Sequence, residues 1–195
     1  MLQVLTPYTD AATTETILAD TRRWLERAVI GLNLCPFAKS VHVKKQIRYA
    51  LTGASTPDEL LAELEHEFSL LTETDPAELD TILLIHPCVL TEFLDYHFFL
   101  QEAEALIRNL GYEGVYQIAS LHPDYEFAGS EPDDIDNYTN RSPYPTLHLL
   151  REASIDRAVA AFPDPERIYE RNIETVRRLG PEGWRKLLRE DTSQD

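Results

Sequence analysis

DTILLIHP, residues Asp80 to Pro87, sets four aliphatic residues in a row between a threonine and a His-Pro pair. A run with no polar alternation predicts a strand buried on both faces, as in a parallel strand covered by helices on either side. Its flanks agree. Upstream, STPDELLAELEHEFSLLTE (Ser55–Glu73) reads as a helix. Thr56 is its N-cap, Pro57 its first helical residue and Glu59 the partner in a capping box, while Leu60, Leu61, Leu64, Phe68 and Leu71 form one apolar stripe. Downstream, TEFLDYHFFLQEAEALIRNLG (Thr91–Gly111) is a second helix, stopped by Gly111.

Further out the alternation continues. SVHVKKQIRYAL predicts a strand from about Val41 to Leu51, GVYQIASLHP a strand that again ends in His-Pro, and TLHLLRE (Thr146–Glu152) a fourth. The first helix carries Ile17, Thr21, Trp24, Leu25, Ala28, Val29 and Leu32 on one face and frays at Gly31 and Asn33. After the last strand, Ser154 is expected to cap a short helix. Asp164-Pro165 opens another that reaches Gly180, and PEGWRKLLRE makes the last. Two strand–helix–strand units in succession predict right-handed crossovers. The expected fold is α/β: a single domain over residues 1–190, built on a mostly parallel four-stranded sheet with helices packed on it and a C-terminal helical segment. Residues 191–195 are expected to be a disordered tail. The connection from Pro123 to Pro145 exceeds an ordinary loop, and loops of that length are often functional.

Composition narrows the function classes. The 195 residues carry 18 Lys and Arg against 34 Asp and Glu, a formal net charge of -16. Such a surface repels nucleic acid and anionic lipid, so neither is expected as a partner. Two cysteines far apart, Cys35 and Cys88, make no disulfide framework. There is no run of about 20 apolar residues to span a membrane, and MLQVLTPYTDAA lacks the basic start of a secretory signal. A cytoplasmic protein with reduced thiols is expected.

Candidate chemistry follows from the strand ends, where open α/β sheets bind their ligands. His86 and His122 each end a strand and precede a proline, which biases them to extended geometry. Asp124, two residues after His122, is placed to orient that imidazole, making His122 the candidate general acid/base with His86 assisting. In NYTNRSPYPTLHLLRE (Asn137–Glu152), Arg141 lies between Asn140 and Ser142 and is held by Pro143 and Pro145. A guanidinium so placed can take a carboxylate or phosphate in bidentate fashion, or pair with the acidic loop before it. Pro145 is a candidate cis residue. Cys35 is a candidate lone nucleophile or a small buried residue. With Ala38 three residues after it there is no second cysteine, which argues against dithiol redox chemistry. Lys39, Lys44, Lys45 and Arg48 form a local basic cluster that either draws in an anion or protects an edge strand.

Two further groups are weighed against metals. The loop carboxylates Asp124, Glu126, Glu131, Asp133, Asp134 and Asp136 do not match a calcium-loop spacing and read better as a solvated loop. His86, His122, His148 and Cys35 are zinc- or iron-ligand types without a local chelating pair, so such a site would be assembled only by folding. His148 alternates with Leu147 and Leu149 and so faces opposite to them. His42, His66 and His97 sit within regular elements and take no assigned role.

The segments GLNLCPFA, LHPDYEFAG and NYTNRSPYPTLHLLRE together resemble a bacterial family known as a conserved domain of unknown function. The resemblance covers nearly the whole chain and implies a single-domain soluble protein, but no reaction, cofactor or catalytic residue. The residues themselves point to an enzyme of hydrolysis or group transfer on a small anionic molecule. Its expected parts are His122, Asp124, His86 and Cys35 for the chemistry and Arg141, Asn140 and Ser142 for binding. The alternatives are a metal protein built on the His/Cys set and a non-catalytic binding module. Cofactors and oligomeric state are left open.

Overall fold

The apolar run at Ile82–Ile85 predicts burial on both faces, and the computed structural model places this strand at the centre of the sheet. The structure describes residues 3–4, 11–160, 164 and 167–189. Its strands are β1 (Gln3–Val4), β2 (Ile47–Leu51), β3 (Thr81–Ile85), β4 (Tyr116–Leu121) and β5 (Thr146–Arg151), arranged in one sheet in the order β1-β2-β3-β5-β4. All five residues of β3 are buried. One face is covered by α3 (Pro57–Glu73) and α4 (Phe93–Asn109), so that Ile82, Leu84, Leu147 and Leu149 meet Leu60, Leu64, Phe68 and Phe99. The other is covered by α1 (Ala11–Trp24), continued by a π-helical segment at Leu25–Ile30, and by α6 (Ile168–Leu188). There Leu51, Leu83 and Ile85 meet Ile17, Leu25, Val176 and Trp184. Two shorter helices, α2 (Ala38–Val43) and α5 (Glu152–Ala160), flank the end at which β3 begins.

The sheet is mixed, which corrects the expected mostly parallel four-stranded sheet in both number and direction. β1, β2 and β3 pair in parallel, while β5 runs antiparallel to both of its neighbours, β3 and β4. The α4 crossover sets β4 two positions from β3, leaving a gap one strand wide. The chain then turns back at the same rim and enters the gap as β5. A return without a crossover helix can pair only in the antiparallel sense.

Local signals are realised with small displacements. Thr56 Oγ1 accepts the Glu59 N–H at 3.3 Å, but the Glu59 carboxylate reaches Ser55, accepting from its N–H at 2.8 Å and its hydroxyl at 3.0 Å. Gly111 ends α4 at φ 73, and Gly180 at φ 67, followed by Pro181, kinks α6 where the sequence predicts a break between helices. Ser154 does not cap α5, which begins two residues earlier; its hydroxyl bonds Asp80 instead. The predicted strand from Val41 is also shortened. Val41 and Val43 belong to α2, and Lys45, at φ 59, makes the turn before β2.

β2 lies between two strands and is no edge. Arg48 leaves the expected basic cluster for the interior, where its guanidinium forms a fork on Glu67 at 2.8 and 3.0 Å. No cis peptide bond occurs among the described residues, and Pro145 is trans. Pro165 and the tail at 191–195 lie outside the described residues.

Candidate functional site

β3 and β4 end at one rim, and β5 begins there: Ile85 and Leu121 both pair with Thr146. The fold therefore brings His86, His122 and the Asn140–Pro145 segment together. Backbone bonds sew the rim closed. The His86 N–H donates to Pro145 O at 3.0 Å, the His122 N–H to Asn140 O at 3.3 Å, and the Ser142 N–H to His122 O at 3.4 Å.

The side chains continue the same work. His86 Nδ1 donates to Val89 O at 3.0 Å. His122 Nε2 donates to Leu90 O at 3.2 Å, and its Nδ1 accepts the Asp124 N–H at 3.0 Å. Asp124 thus meets His122 through its amide. Both imidazoles are fully buried and lie against Tyr96, with ring centroids 5.7 and 5.1 Å away. The Tyr96 hydroxyl donates to Thr146 O at 2.9 Å and accepts the Leu121 N–H at 3.0 Å. Burial holds both histidines below their usual range. His86, with His122 beside it adding to the effect, is pushed down to about 4. His86 Nε2 is the one fully buried side-chain polar atom without a hydrogen-bond partner among the described residues.

Arg141 holds its own loop. Its Nε donates to Tyr125 O at 3.3 Å and its Nη2 to Pro132 O at 2.6 Å, and the guanidinium lies 4.5 Å over the Tyr138 ring. Asn140 Nδ2 donates to Ser120 O, and the Ser142 hydroxyl to Tyr144 O. Asn137, which sequence reading passed over, is fully buried: it accepts from the Phe127 N–H and the Ser130 hydroxyl and donates to Glu131 O. Of the loop carboxylates, Asp136 forks onto Arg177 at 2.8 and 2.6 Å.

Cys35 sits elsewhere. It follows the π-helical segment and precedes α2, and with Phe37, Val41 and Lys44 it lines one side of a cavity of about 680 Å³. Thr81, His148, Ser154 and Arg157 line other parts of the same cavity. Thr81 opens β3, five residues before His86, which at about 3.3 Å per residue is roughly 16 Å from the rim. The Cys35 cavity and the two-histidine rim are separate places. The metal alternative used His86 and His122, with Cys35 or His148 as possible further ligands, and the last two lie at the cavity, away from the rim. No group of three or more His, Cys, Asp or Glu that could hold a metal occurs among the described residues.

His148 turns away from the α3–α4 face that holds Leu147 and Leu149, and its ring reaches the cavity. Its Nε2 lies 2.8 Å from Thr81 Oγ1, and the Thr81 hydroxyl donates to Leu149 O at 2.6 Å. The Ser154 hydroxyl donates to Asp80 at 2.5 Å and accepts from Arg157 Nη2 at 3.0 Å. Lys44 and Arg157 are exposed. Burial pushes the Cys35 thiol up, against the opposing pull of the Phe37 and Ala38 amides, and pushes His148 down to about 4. At neutral pH the cavity therefore presents a thiol and a neutral imidazole. The signal for His148 was its strand alternation; Thr81, Ser154 and Arg157 had none that separated them from ordinary fold residues.

A family model described as "Protein of unknown function (DUF1415)" matches residues 16–186. The chain belongs to that family. Comparison with curated proteins and with solved structures gives no match. No described helix is long and apolar enough to cross a membrane.

Proposed function

We propose that this member of a family without an assigned reaction is a thiol-dependent enzyme, hydrolysing or transferring a group on a small anionic substrate held in the cavity at the start of β3. The observation that carries the reading is that Cys35 and His148 line the same cavity, of a size that suits a small molecule. Cys35 is the nucleophile and His148 the base. As Sγ bonds to the electrophilic carbon of the substrate, the thiol proton passes to His148, and the imidazolium returns it to the leaving group as that bond breaks. Water or a second acceptor then releases the group from sulfur. Lys44 and Arg157, exposed cations on a chain of net charge -16, draw in the anion.

In this reading Cys35 supplies the nucleophile, and His86, His122, Asp124, Asn140, Arg141 and Ser142 build the rim that fixes the 123–145 connection. The chain works in the cytoplasm with both thiols reduced, on a small molecule and not on nucleic acid or membrane.

The test uses p-nitrophenyl acetate and its succinyl analogue, which carries a carboxylate. The expected result is release of p-nitrophenol that favours the succinyl ester and is lost in Cys35→Ser and His148→Gln. Undiminished release in Cys35→Ser would sink the reading. A second reading, a binding module without chemistry, is favoured by the separation of GLNLCPFA from LHPDYEFAG across the sheet. It predicts saturable binding of succinate, equal in wild type and Cys35→Ser, with no ester turnover in either.

A further inference from the structure

His148 can act as a base only through a nitrogen that carries no proton and faces the cavity. Which nitrogen that is depends on its neighbour. Thr81 has one hydroxyl hydrogen, and the 2.6 Å contact with Leu149 O takes it. Toward His148 Nε2, 2.8 Å away, the same oxygen can then only accept. The proton of the neutral ring must therefore sit on Nε2, and Nδ1 is the bare nitrogen. Nδ1 has no hydrogen-bond partner among the described residues, and it is not among the sealed, partnerless atoms of the interior, which are confined to His86 Nε2. His148 itself lines the cavity. Thr81 is 5% exposed, and its hydroxyl is held by the bond to Leu149 O.

We propose that Thr81 is a positioning residue. Its hydroxyl, oriented by the Leu149 carbonyl, locks His148 in the Nε2–H tautomer and leaves Nδ1 open to the cavity that Cys35 shares. The proposal rests on the Cys35–His148 reading for its catalytic meaning, but the tautomer can be read without any substrate. The arrangement follows the logic of a nucleophile, a base and a third group that orients the base, with a hydroxyl in the third place. Burial keeps His148 neutral at pH 7, so the tautomer and not the charge is what the hydroxyl selects. A carboxylate in the same place would instead favour the imidazolium; the neutral hydroxyl does not.

The experiment is a long-range proton–nitrogen correlation spectrum of histidine-labelled protein at pH 7, with His148 assigned by its loss in His148→Gln. Wild type and Thr81→Ser are expected to show the proton on Nε2, and Thr81→Val is expected to move a substantial part of the population to Nδ1. A wild-type ring protonated on Nδ1 overturns the proposal whatever the variants do, as does a Thr81→Val ring still wholly on Nε2. Alkylation of Cys35 by iodoacetamide, followed peptide by peptide so that Cys88 is an internal control, separates the two levels. A base pushed down to about 4 is weaker than an ordinary imidazole, so the loss of Cys35 reactivity expected in His148→Gln is about tenfold, below the usual range of about 10²–10⁴ for general-base assistance. Thr81→Val is expected to lose several-fold and Thr81→Ser little. Unchanged alkylation in His148→Gln beside the expected tautomer shift refutes the nucleophile–base reading while leaving Thr81 as the residue that sets the tautomer.

Discussion

At the rim where β3 and β4 end, two histidines, an arginine, two asparagines and a serine form a dense polar set. At the opposite end, where β3 begins, Cys35, His148, Thr81, Ser154 and the exposed cations Lys44 and Arg157 are among the residues that line a cavity. The residue types are alike, but their bonding differs. Rim side chains meet backbone groups of the 123–145 segment and its neighbours: His122 with Leu90 O and the Asp124 amide, Arg141 with Tyr125 O and Pro132 O, Asn137 with Phe127, Ser130 and Glu131. His86 and His148 each leave one ring nitrogen unused, but the spare His86 Nε2 is sealed in the interior whereas His148 lines the cavity, where Cys35 receives amide hydrogens without being ionised. A long loop crossing a strand end must satisfy its own peptide groups before it can serve a ligand. Polar residues at a strand terminus therefore indicate a site only when their hydrogen-bonding capacity exceeds what the loop consumes.

Each end holds one histidine pushed down to about 4, His86 at the rim and His148 at the cavity, and acid is expected to produce the largest effect. In both, the folded value lies below the ordinary 6.5, so the folded chain binds fewer protons than the unfolded one between these values. Their contribution is complete above about pH 6.5 and is lost as pH falls toward 4. By pH 5 each has given up about 2 kcal/mol, at about 1.4 kcal/mol per unit of pH. Urea midpoints at pH 7 and pH 5 measure the sum, and His86→Leu should flatten the slope by about one proton. A slope that does not change in that variant breaks the equivalence of the two ends.

His122→Ala attacks the rim directly. It removes an imidazole packed on Tyr96 and Phe93 and leaves Leu90 O and the Asp124 amide without their partner. Loss of aromatic contact together with orphaned polar groups is expected to cost about 3 kcal/mol. Ester release per folded molecule should be unchanged. Normal stability with abolished turnover would return His122 to the catalytic role that its sequence position suggests.

What the sequence made legible, and what it did not, divides along the same physical line. Thr56, Gly111, Gly180 and the DTILLIHP run are read within a few residues of themselves, and the structure follows them closely. The direction of β5 depends on where a connection of more than twenty residues turns back, which is a tertiary matter. Val41 and Val43 are helical despite their β-branching, and Lys45 turns the chain at positive φ, leaving only five residues for β2. Arg48 was legible in principle. Glu67 stands three residues after Leu64 and four before Leu71, inside the buried stripe of α3, and a carboxylate there calls for a buried cation. His148 was likewise placed by strand alternation, but nothing local could assign it to a cavity shared with Cys35. That pairing is made by α2 and β5, which lie about a hundred residues apart in the chain.

Arg141→Ala is expected to have a smaller effect, roughly 1–2 kcal/mol, from two charge-assisted bonds and the stacking on Tyr138, discounted because the group is only half-buried. Arg141→Lys should recover only part of this, since an ammonium cannot present the same fork or plane. Succinate binding is expected to stay as in wild type. Loss of that binding in Arg141→Ala at full stability would move the anion site from the cavity to the rim.

Lys44→Ala should have the least effect on the fold and is the sharpest probe of the open end. The side chain is exposed and lines the cavity, so its removal is expected to change stability by less than about 0.5 kcal/mol. Its contribution to an anion is that of an exposed charge, up to about 1 kcal/mol, or roughly a three- to fivefold weakening of succinate binding at low salt. Because such an interaction is screened within about 10 Å at 0.1 M ionic strength, the gap between wild type and Lys44→Ala must narrow as salt is added. A rim substitution that lowers binding by unfolding the chain has no reason to follow that salt dependence, so the slope distinguishes a lost ligand contact from lost structure.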